Sequence, residues 1–194
     1  MKTKFLFLLT AFISLSLISC IDGKKKNSDS PINENDFFKI NVDNDYSIRI
    51  PRDMQKTTGL NSDAPLQYQN IYKEVYTIVI DEPKKEFVDA MKELGHEEKS
   101  TLAFYRDIQS KRLVERMDIT NQSKPTPMHI SGLEAEALEI DAKVDNIEEE
   151  LTYFLTFLEG ENKIYMIMSW TLKSKKKEYK KTFETIAQSF EVKD

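Results

Sequence analysis

Residues 151–172 read LTYFLTFLEGENKIYMIMSWTL, and this stretch decides the fold. Two runs, Leu151 to Leu158 and Lys163 to Leu172, flank Glu159-Gly160-Glu161-Asn162, whose composition marks a hairpin loop. Along a strand successive side chains point to opposite faces. In the first run Tyr153, Leu155 and Phe157 therefore oppose Phe154 and Leu158; in the second, Met166, Met168 and Trp170 oppose Tyr165 and Ile167. Both faces of the hairpin are apolar. An antiparallel sheet commonly leaves one face to water, so this pattern predicts a central hairpin with helices above and below it.

One cover lies immediately downstream. Ser174 to Ser189 is predicted to be a helix, presenting Tyr179, Phe183, Ile186, Ala187 and Phe190 at 3.6-residue spacing. Candidates for the opposite cover lie upstream. Glu82-Pro83 starts a helix with Phe87, Met91 and Leu94 at helical spacing and Gly95 as its stop. A second helix is expected over Ser100 to Arg116, with Ser100 as cap and Leu102, Tyr105, Ile108 and Leu113 along its apolar stripe.

The remaining segments read as strands and loops. Phe37 to Val42 and Tyr46 to Ile50 form a hairpin around the turn-favouring Asp43-Asn44-Asp45, and Pro51 closes it. Residues 52–65 read as a loop with room for a helical turn. Leu66 to Asn70 and Val75 to Ile80 are a further strand pair; Val75, Thr77 and Val79 oppose Tyr76, Ile78 and Ile80, so this strand also needs cover on both sides. Asn121 to Pro127 reads as a loop, followed by an edge strand from Met128. Gly132 then supplies a turn before Leu133 to Asp141, where Leu138 and Ile140 face inward. The expected class is α+β: an α/β/α sandwich whose central, mostly antiparallel sheet is covered by helices on both faces.

The chain has 194 residues, 40% of them hydrophobic, which suits one domain with a full core. Its single cysteine, Cys20, excludes an internal disulfide. The net charge is -5, and removing residues 1–19 would take away Lys2 and Lys4 and no acid, making the balance more acidic still. A nucleic-acid binder normally shows a basic face, so no nucleic-acid partner is expected.

The first residues carry an address. Lys2 and Lys4 precede an apolar run from Phe5 to Ile18 of about 14 residues, shorter than the ~20 that span a bilayer as a helix. Leu17-Ile18-Ser19-Cys20 resembles the lipobox of bacterial lipoprotein signal peptides, with a branched apolar residue and a small residue before cysteine. The resemblance implies a signal peptide over 1–19, cleavage before Cys20, and lipid on its thiol and new amino group. Two or more acyl chains anchor a protein stably where one does so only marginally. Residues 21–36, IDGKKKNSDSPINEND, are too polar to bury a core and read, with Cys20, as a tether over 20–36 to a single domain over 37–194. The expected location is the bacterial cell envelope, with the lipid in the outer membrane and the domain facing the periplasm.

The order of elements from Phe37 to Phe190 is similar to the Mog/PsbP-like superfamily. The resemblance rests on Tyr46-Ser47-Ile48-Arg49-Ile50-Pro51, on Tyr165 to Trp170, and on Ile186 to Phe190. Known members are mostly non-catalytic modules, among them an extrinsic photosystem subunit and a Ran-binding factor, so the resemblance implies binding. It transfers no functional residue.

Catalytic motifs do not stand out. His96 and His129, the two histidines, lie in separate segments without ligand spacing and read as structural or surface residues. No Gly-x-Ser-x-Gly elbow or phosphate-binding glycine loop occurs. Asp141, Asp145 and Glu148 to Glu150 are the densest acids, but they lack calcium-loop spacing and read as a solvated approach. Trp170 and the tyrosines alternate along strands and are expected in cores. Lys175, Lys176, Lys177, Lys180 and Lys181 make a basic face on the last helix, either its wet side or a surface for an acidic partner.

The sequence therefore predicts a membrane-anchored extracytoplasmic lipoprotein acting as a non-catalytic protein-binding or assembly module, with no cofactor or metal. The alternative is a carrier of a small lipid or sugar in a cleft between sheet and helices; a hydrolase is a distant third. Cys20→Ser is expected to leave a soluble or unprocessed protein on membrane fractionation, and identical fractionation of mutant and wild type would contradict the anchor.

Overall fold

A computed structural model describes residues 33–193; the expected signal peptide, Cys20 and most of the expected tether lie outside the described residues. Eleven strands and three α-helices follow in the order β1 (Phe37–Val42), β2 (Tyr46–Pro51), β3 (Gln55–Lys56), β4 (Leu66–Asn70), β5 (Val75–Pro83), α1 (Lys84–Glu93), α2 (Thr101–Val114), β6 (Asp118–Gln122), β7 (Thr126–Ile130), β8 (Leu133–Lys143), β9 (Leu151–Glu159), β10 (Lys163–Leu172), α3 (Lys176–Gln188) and β11 (Glu191–Val192).

The large sheet runs β3-β4-β5-β10-β9-β8-β6, with β7 pairing to β8 beside β6. All its pairings are antiparallel. The hairpin β9–β10 occupies its middle, in a register that sets Phe157 opposite Met166 and Leu155 opposite Met168. Alternation then divides the apolar side chains between two cores. Tyr153, Leu155, Phe157, Ile164, Met166 and Met168 join Leu102 and Tyr105 of α2 in one. Leu158, Tyr165 and Ile167 join Phe183, Ile186 and Ala187 of α3 in the other, together with Tyr46, Ile48 and Ile50 of β2. The sheet has helices on both faces, as its two-sided apolarity requires.

The α3 face carries a further layer. β1, β2 and β11 form a separate three-stranded sheet beside the helix. The turn between β1 and β2 places Asp43 and Asn44 at φ 42° and 57°, the paired left-handed conformation that tight hairpins favour. Asp45 then meets the large sheet: Lys163 Nζ lies 2.8 Å from both Asp45 Oδ2 and Asp81 Oδ1, and the Tyr165 hydroxyl donates to Asp45 Oδ1 at 2.8 Å. Burial disfavours the Lys163 ammonium, but the two carboxylates outweigh it and raise its pKa. Tyr46, Tyr165 and Phe190 pack ring against ring at this junction.

Several expectations shift by a few residues. Pro83 ends β5 and caps α1 rather than occupying its first turn. Gly95, at φ 73°, stops α1 as expected: its N–H donates to Lys92 O, and that of His96 to Met91 O. Leu94, the residue that caps the end of α1, is exposed rather than buried. Ser100 caps α2 through its side-chain oxygen. The expected loop at Asn121 to Pro127 narrows to residues 123–125, and β6 occupies Asp118–Gln122. This strand has one apolar inward residue, Ile119, and a register shift beyond it, so it shows no alternating pattern. β7 holds Pro127 on the sheet's edge, where a missing N–H is tolerated. β3 replaces the helical turn expected in 52–65, and β11 follows α3 after Phe190.

Phe157 is fully buried against Tyr105 in the α2-side core. Phe157→Ala is expected to cost about 3–5 kcal/mol in urea unfolding, the range for a truncated core aromatic. Phe154→Ala, on the opposite and less closed face, should cost clearly less; equal losses would contradict the two-core arrangement.

Candidate functional site: the cleft beneath the last helix

The α3 face of the large sheet is not uniformly apolar. The register aligns Ala137, Thr156 and Ile167 in one row across β8, β9 and β10. The next row holds Glu139, Phe154 and Ser169, and a third holds Asp141, Thr152 and Thr171. Thr152, Thr156, Ser169 and Thr171 are all buried. α3 closes over this graded surface in two different ways.

Near its start the helix is held by charge. Lys176 Nζ reaches Asp141 Oδ1 at 3.2 Å and Glu139 Oε2 at 3.1 Å, and Lys180 Nζ reaches Glu139 Oε1 at 2.5 Å. Asp141, only 4% exposed, also accepts from Thr152 Oγ1 at 2.7 Å. Glu149 Oε1 accepts the backbone N–H of Ser174 at 2.7 Å, and Glu150 bonds Lys173 and Thr120. Acids at the start of a helix are favoured by its dipole. Burial alone would raise the Asp141 pKa, yet Thr152, Lys176 and Lys173 more than offset it and leave the carboxyl below its ordinary value. Glu139 is lowered in the same sense by Lys180 and Lys176 against its own burial.

Further along, the helix is held by apolar contact. Phe183 meets Phe154 at 5.2 Å between ring centroids, and Ile186 and Ala187 are buried. Between this half of α3 and strands β7, β8 and β9 lies a partly open cleft of about 460 Å³. Ala137, Phe154, Thr156 and Ile167 floor it, Met128 closes one side, and Phe183 and Ala187 line the helix wall. Lys181, Glu184 and Gln188 stand along it on one stripe of the helix. A mainly apolar floor, interrupted by Thr156, and a polar rim suit an apolar group flanked by a polar or charged one.

The residues singled out in sequence are distributed around this cleft unequally. Among the five lysines, Lys176 and Lys180 are occupied by Glu139 and Asp141, and Lys175 Nζ donates to Lys73 O at 3.2 Å. Lys177 and Lys181 are exposed and have no ion-pair partner among the described residues. His96 packs against Phe104 with ring centroids 4.9 Å apart, and His129 is exposed on β7, in a different element. Among the described residues no group of three or more His, Cys, Asp or Glu could hold a metal ion. Trp170 stacks between Tyr76 and Tyr153 on the α2 side of the sheet, in core-like packing. Burial and the hydrogen bond to Glu74 push the Tyr76 hydroxyl up to about 12. Glu139, Thr156 and Ser169 were not singled out, although polar residues recurring on one face of otherwise apolar strands were the available signal.

No protein-family model matches the chain, and no curated protein matches it. Solved structures do. The cyanobacterial PsbP (CyanoP) of Synechocystis sp. PCC 6803 superposes with a TM-score of 0.54 at 16% identity, over 84% of this chain and 96% of that one. The fold is PsbP-like and Mog1-like. LpqN of Mycobacterium tuberculosis, described as involved in cell envelope biogenesis, matches with a TM-score of 0.54 at 9% identity, over 81% of this chain and 91% of its own. The Ran-binding protein Mog1p of Saccharomyces cerevisiae matches with a TM-score of 0.50 at 9% identity, over 81% and 96% respectively. At these identities the PsbP/Mog1-like likeness is one of fold.

Asp141→Asn is expected to cost about 1–3 kcal/mol at pH 7, because it removes the charge that Thr152 and the lysines face. A carboxyl lowered by folding contributes stability that is complete above its unfolded value near 3.9 and fades as pH falls through the folded value. The difference between wild type and mutant in urea unfolding should therefore shrink below about pH 4. A difference unchanged from pH 7 to pH 3 would contradict the assignment.

Proposed function

We propose that this chain is a lipid-anchored lipoprotein of the bacterial cell envelope, held through Cys20 at the outer membrane and facing the periplasm, whose domain is a non-catalytic module that binds another protein. The cleft beneath α3 is the observation that carries the binding role. Small-ligand sites commonly enclose 70–90% or more of their ligand. A cleft that is partly open along β7 and β8, with an apolar floor, instead suits a side chain or short segment offered by a protein partner. Lys181 stands beside it without an ion-pair partner among the described residues and favours a carboxylate next to the inserted apolar group.

Two fold relatives support an accessory role outside catalysis. Mog1p is a Ran-binding protein, and LpqN is involved in cell envelope biogenesis. No helix among the described residues is long and apolar enough to cross a membrane, so attachment in this reading rests on the lipid. A second reading, a carrier of a small lipid or sugar, is favoured by the cleft's volume, which falls within the ~300–1,000 Å³ of ligand pockets.

A photo-crosslinking residue in place of Lys181, in the native membrane-attached protein, tests the choice. The expected result is a discrete protein adduct that disappears when Ala137→Phe fills the cleft. An adduct indifferent to Ala137→Phe would contradict binding in the cleft. A small molecule released from wild type on denaturation and absent from Ala137→Phe would favour the carrier.

A further inference from the structure

One end of the domain gathers most of its exposed apolar side chains. Five large hydrophobic residues are exposed among those described: Ile71, Tyr72, Leu94, Val114 and Ile147. Ile71 and Tyr72 form the tip between β4 and β5, where Tyr72 is 91% exposed. Val75, at the start of β5, pairs with Thr171 near the end of β10, and Leu172 pairs with Leu151 at the start of β9. Leu151 in turn pairs with Ala142, and Lys143 with Asp118 at the start of β6. The β4–β5 tip, the 144–150 loop bearing Ile147 and the end of α2 bearing Val114 thus share one edge of the sheet's long axis. Only Leu94 of the five is not placed there by this pairing.

The chain also enters the domain at this end. The Arg52 backbone N–H donates to Asp36 O at 2.8 Å, and its Nε donates to Asn35 O at 2.7 Å. The next residue, Asp53, forms an ion pair with Lys73 in the β4–β5 turn, and its backbone carbonyl accepts from Nδ2 of Asn70, the last residue of β4, at 2.8 Å. Lys175 reaches the same tip through Lys73 O. The first described residues are therefore fastened within two side chains of Tyr72.

We propose that this end, with the Ile71-Tyr72 tip foremost, is the surface the domain lays on the lipid bilayer. The inference rests on the lipid anchor at Cys20 proposed above and adds an orientation to it. Twelve residues, 21–32, separate Cys20 from the described domain, so the reach from Cys20 to Asn33 is about 45 Å at most when fully extended. β10 has 10 residues, which sets the two ends of the sheet about 33 Å apart. For the β9–β10 loop to face the lipid, the linker would have to spend most of its maximum reach running back along the domain. The tip beside the point where the chain enters needs none of it.

The chemistry fits an interface rather than an electrostatic clamp. Tyrosine is favoured at the level of lipid headgroups, where its ring is sheltered and its hydroxyl stays wet. Lys73, beside Tyr72, is paired with Asp53 and followed by Glu74, so the tip itself carries no unpaired basic patch. Two or three apolar side chains would not hold a free protein on a membrane. Tethering raises their effective concentration into the millimolar range, where a weak contact is populated.

The test uses the full-length lipidated protein reconstituted in phosphatidylethanolamine–phosphatidylglycerol vesicles, with and without brominated acyl chains. Trp170 gives the same background in two variants, Tyr72→Trp at the proposed surface and Glu161→Trp on the β9–β10 loop. Tyr72→Trp is expected to lose about half of its added emission to brominated lipid, and Glu161→Trp about a tenth or less, with little change at 0.5 M salt, which shortens electrostatic range to a few ångströms. Vesicles that carry the protein on flotation but quench neither variant, or both equally, would overturn the orientation while leaving the anchor standing. Protein that fails to float with the vesicles would remove the anchor and the orientation together.

Discussion

The constraint on which this structure depends is the burial of β9 and β10 on both faces. A hairpin with one apolar face can rest on a single layer; this one exposes Phe157 and Met166 to one core and Leu158 and Tyr165 to the other. Two separate covers are thereby required. α1 and α2 supply one, and α3 with the small β1-β2-β11 sheet supplies the other. Even the attachment of the small sheet passes through the hairpin, since Lys163 and Tyr165 at the start of β10 bind Asp45 of the β1–β2 turn.

The functional cleft follows from how the second cover is fastened. β8 places Glu139 and Asp141 beneath the start of α3, where Lys176 and Lys180 answer them; the far half of the helix is drawn in by Phe183, Ile186 and Ala187. The small sheet fills the α3 face on the β5 side, and the edge strand β7 is too short and too exposed to fill it on the β8 side. A partly open space beneath the helix remains, floored by Phe154, Ile167 and small or polar side chains. The same ion pairs remove Lys176 and Lys180 from any external role and leave Lys177 and Lys181 facing outward.

Much of this was legible from the residues. Two-sided apolar runs in 151–172 and in Val75 to Ile80 placed the central strands, and the spacing of Phe183, Ile186 and Phe190 placed α3, because full burial leaves a continuous apolar trace. The elements that were missed lack one. β3 and β11 have two residues each, and β6 offers one inward apolar residue across a register shift. Edge strands paired on one side and wet on the other need no such pattern. The cleft was hidden for a related reason. Thr152, Thr156, Ser169 and Thr171 interrupt the apolar alternation on one face only, and their meaning depends on long-range neighbours: Asp141 for Thr152, and Thr77 for Ser169 at 2.9 Å. The lysine stripe was visible as a charge pattern, but which lysines are spent internally depends on carboxylates about 40 residues away in the chain.

Native-state hydrogen exchange tests the central role of the hairpin most directly. The amides of β9, β10 and the paired part of β5 should exchange last, and only through global unfolding, while those of β6, β7 and β11 exchange through local opening. Exchange of β9 and β10 amides at the rates of the edge strands, with the rest of the sheet still protected, would contradict the claim that the whole fold is assembled on that hairpin.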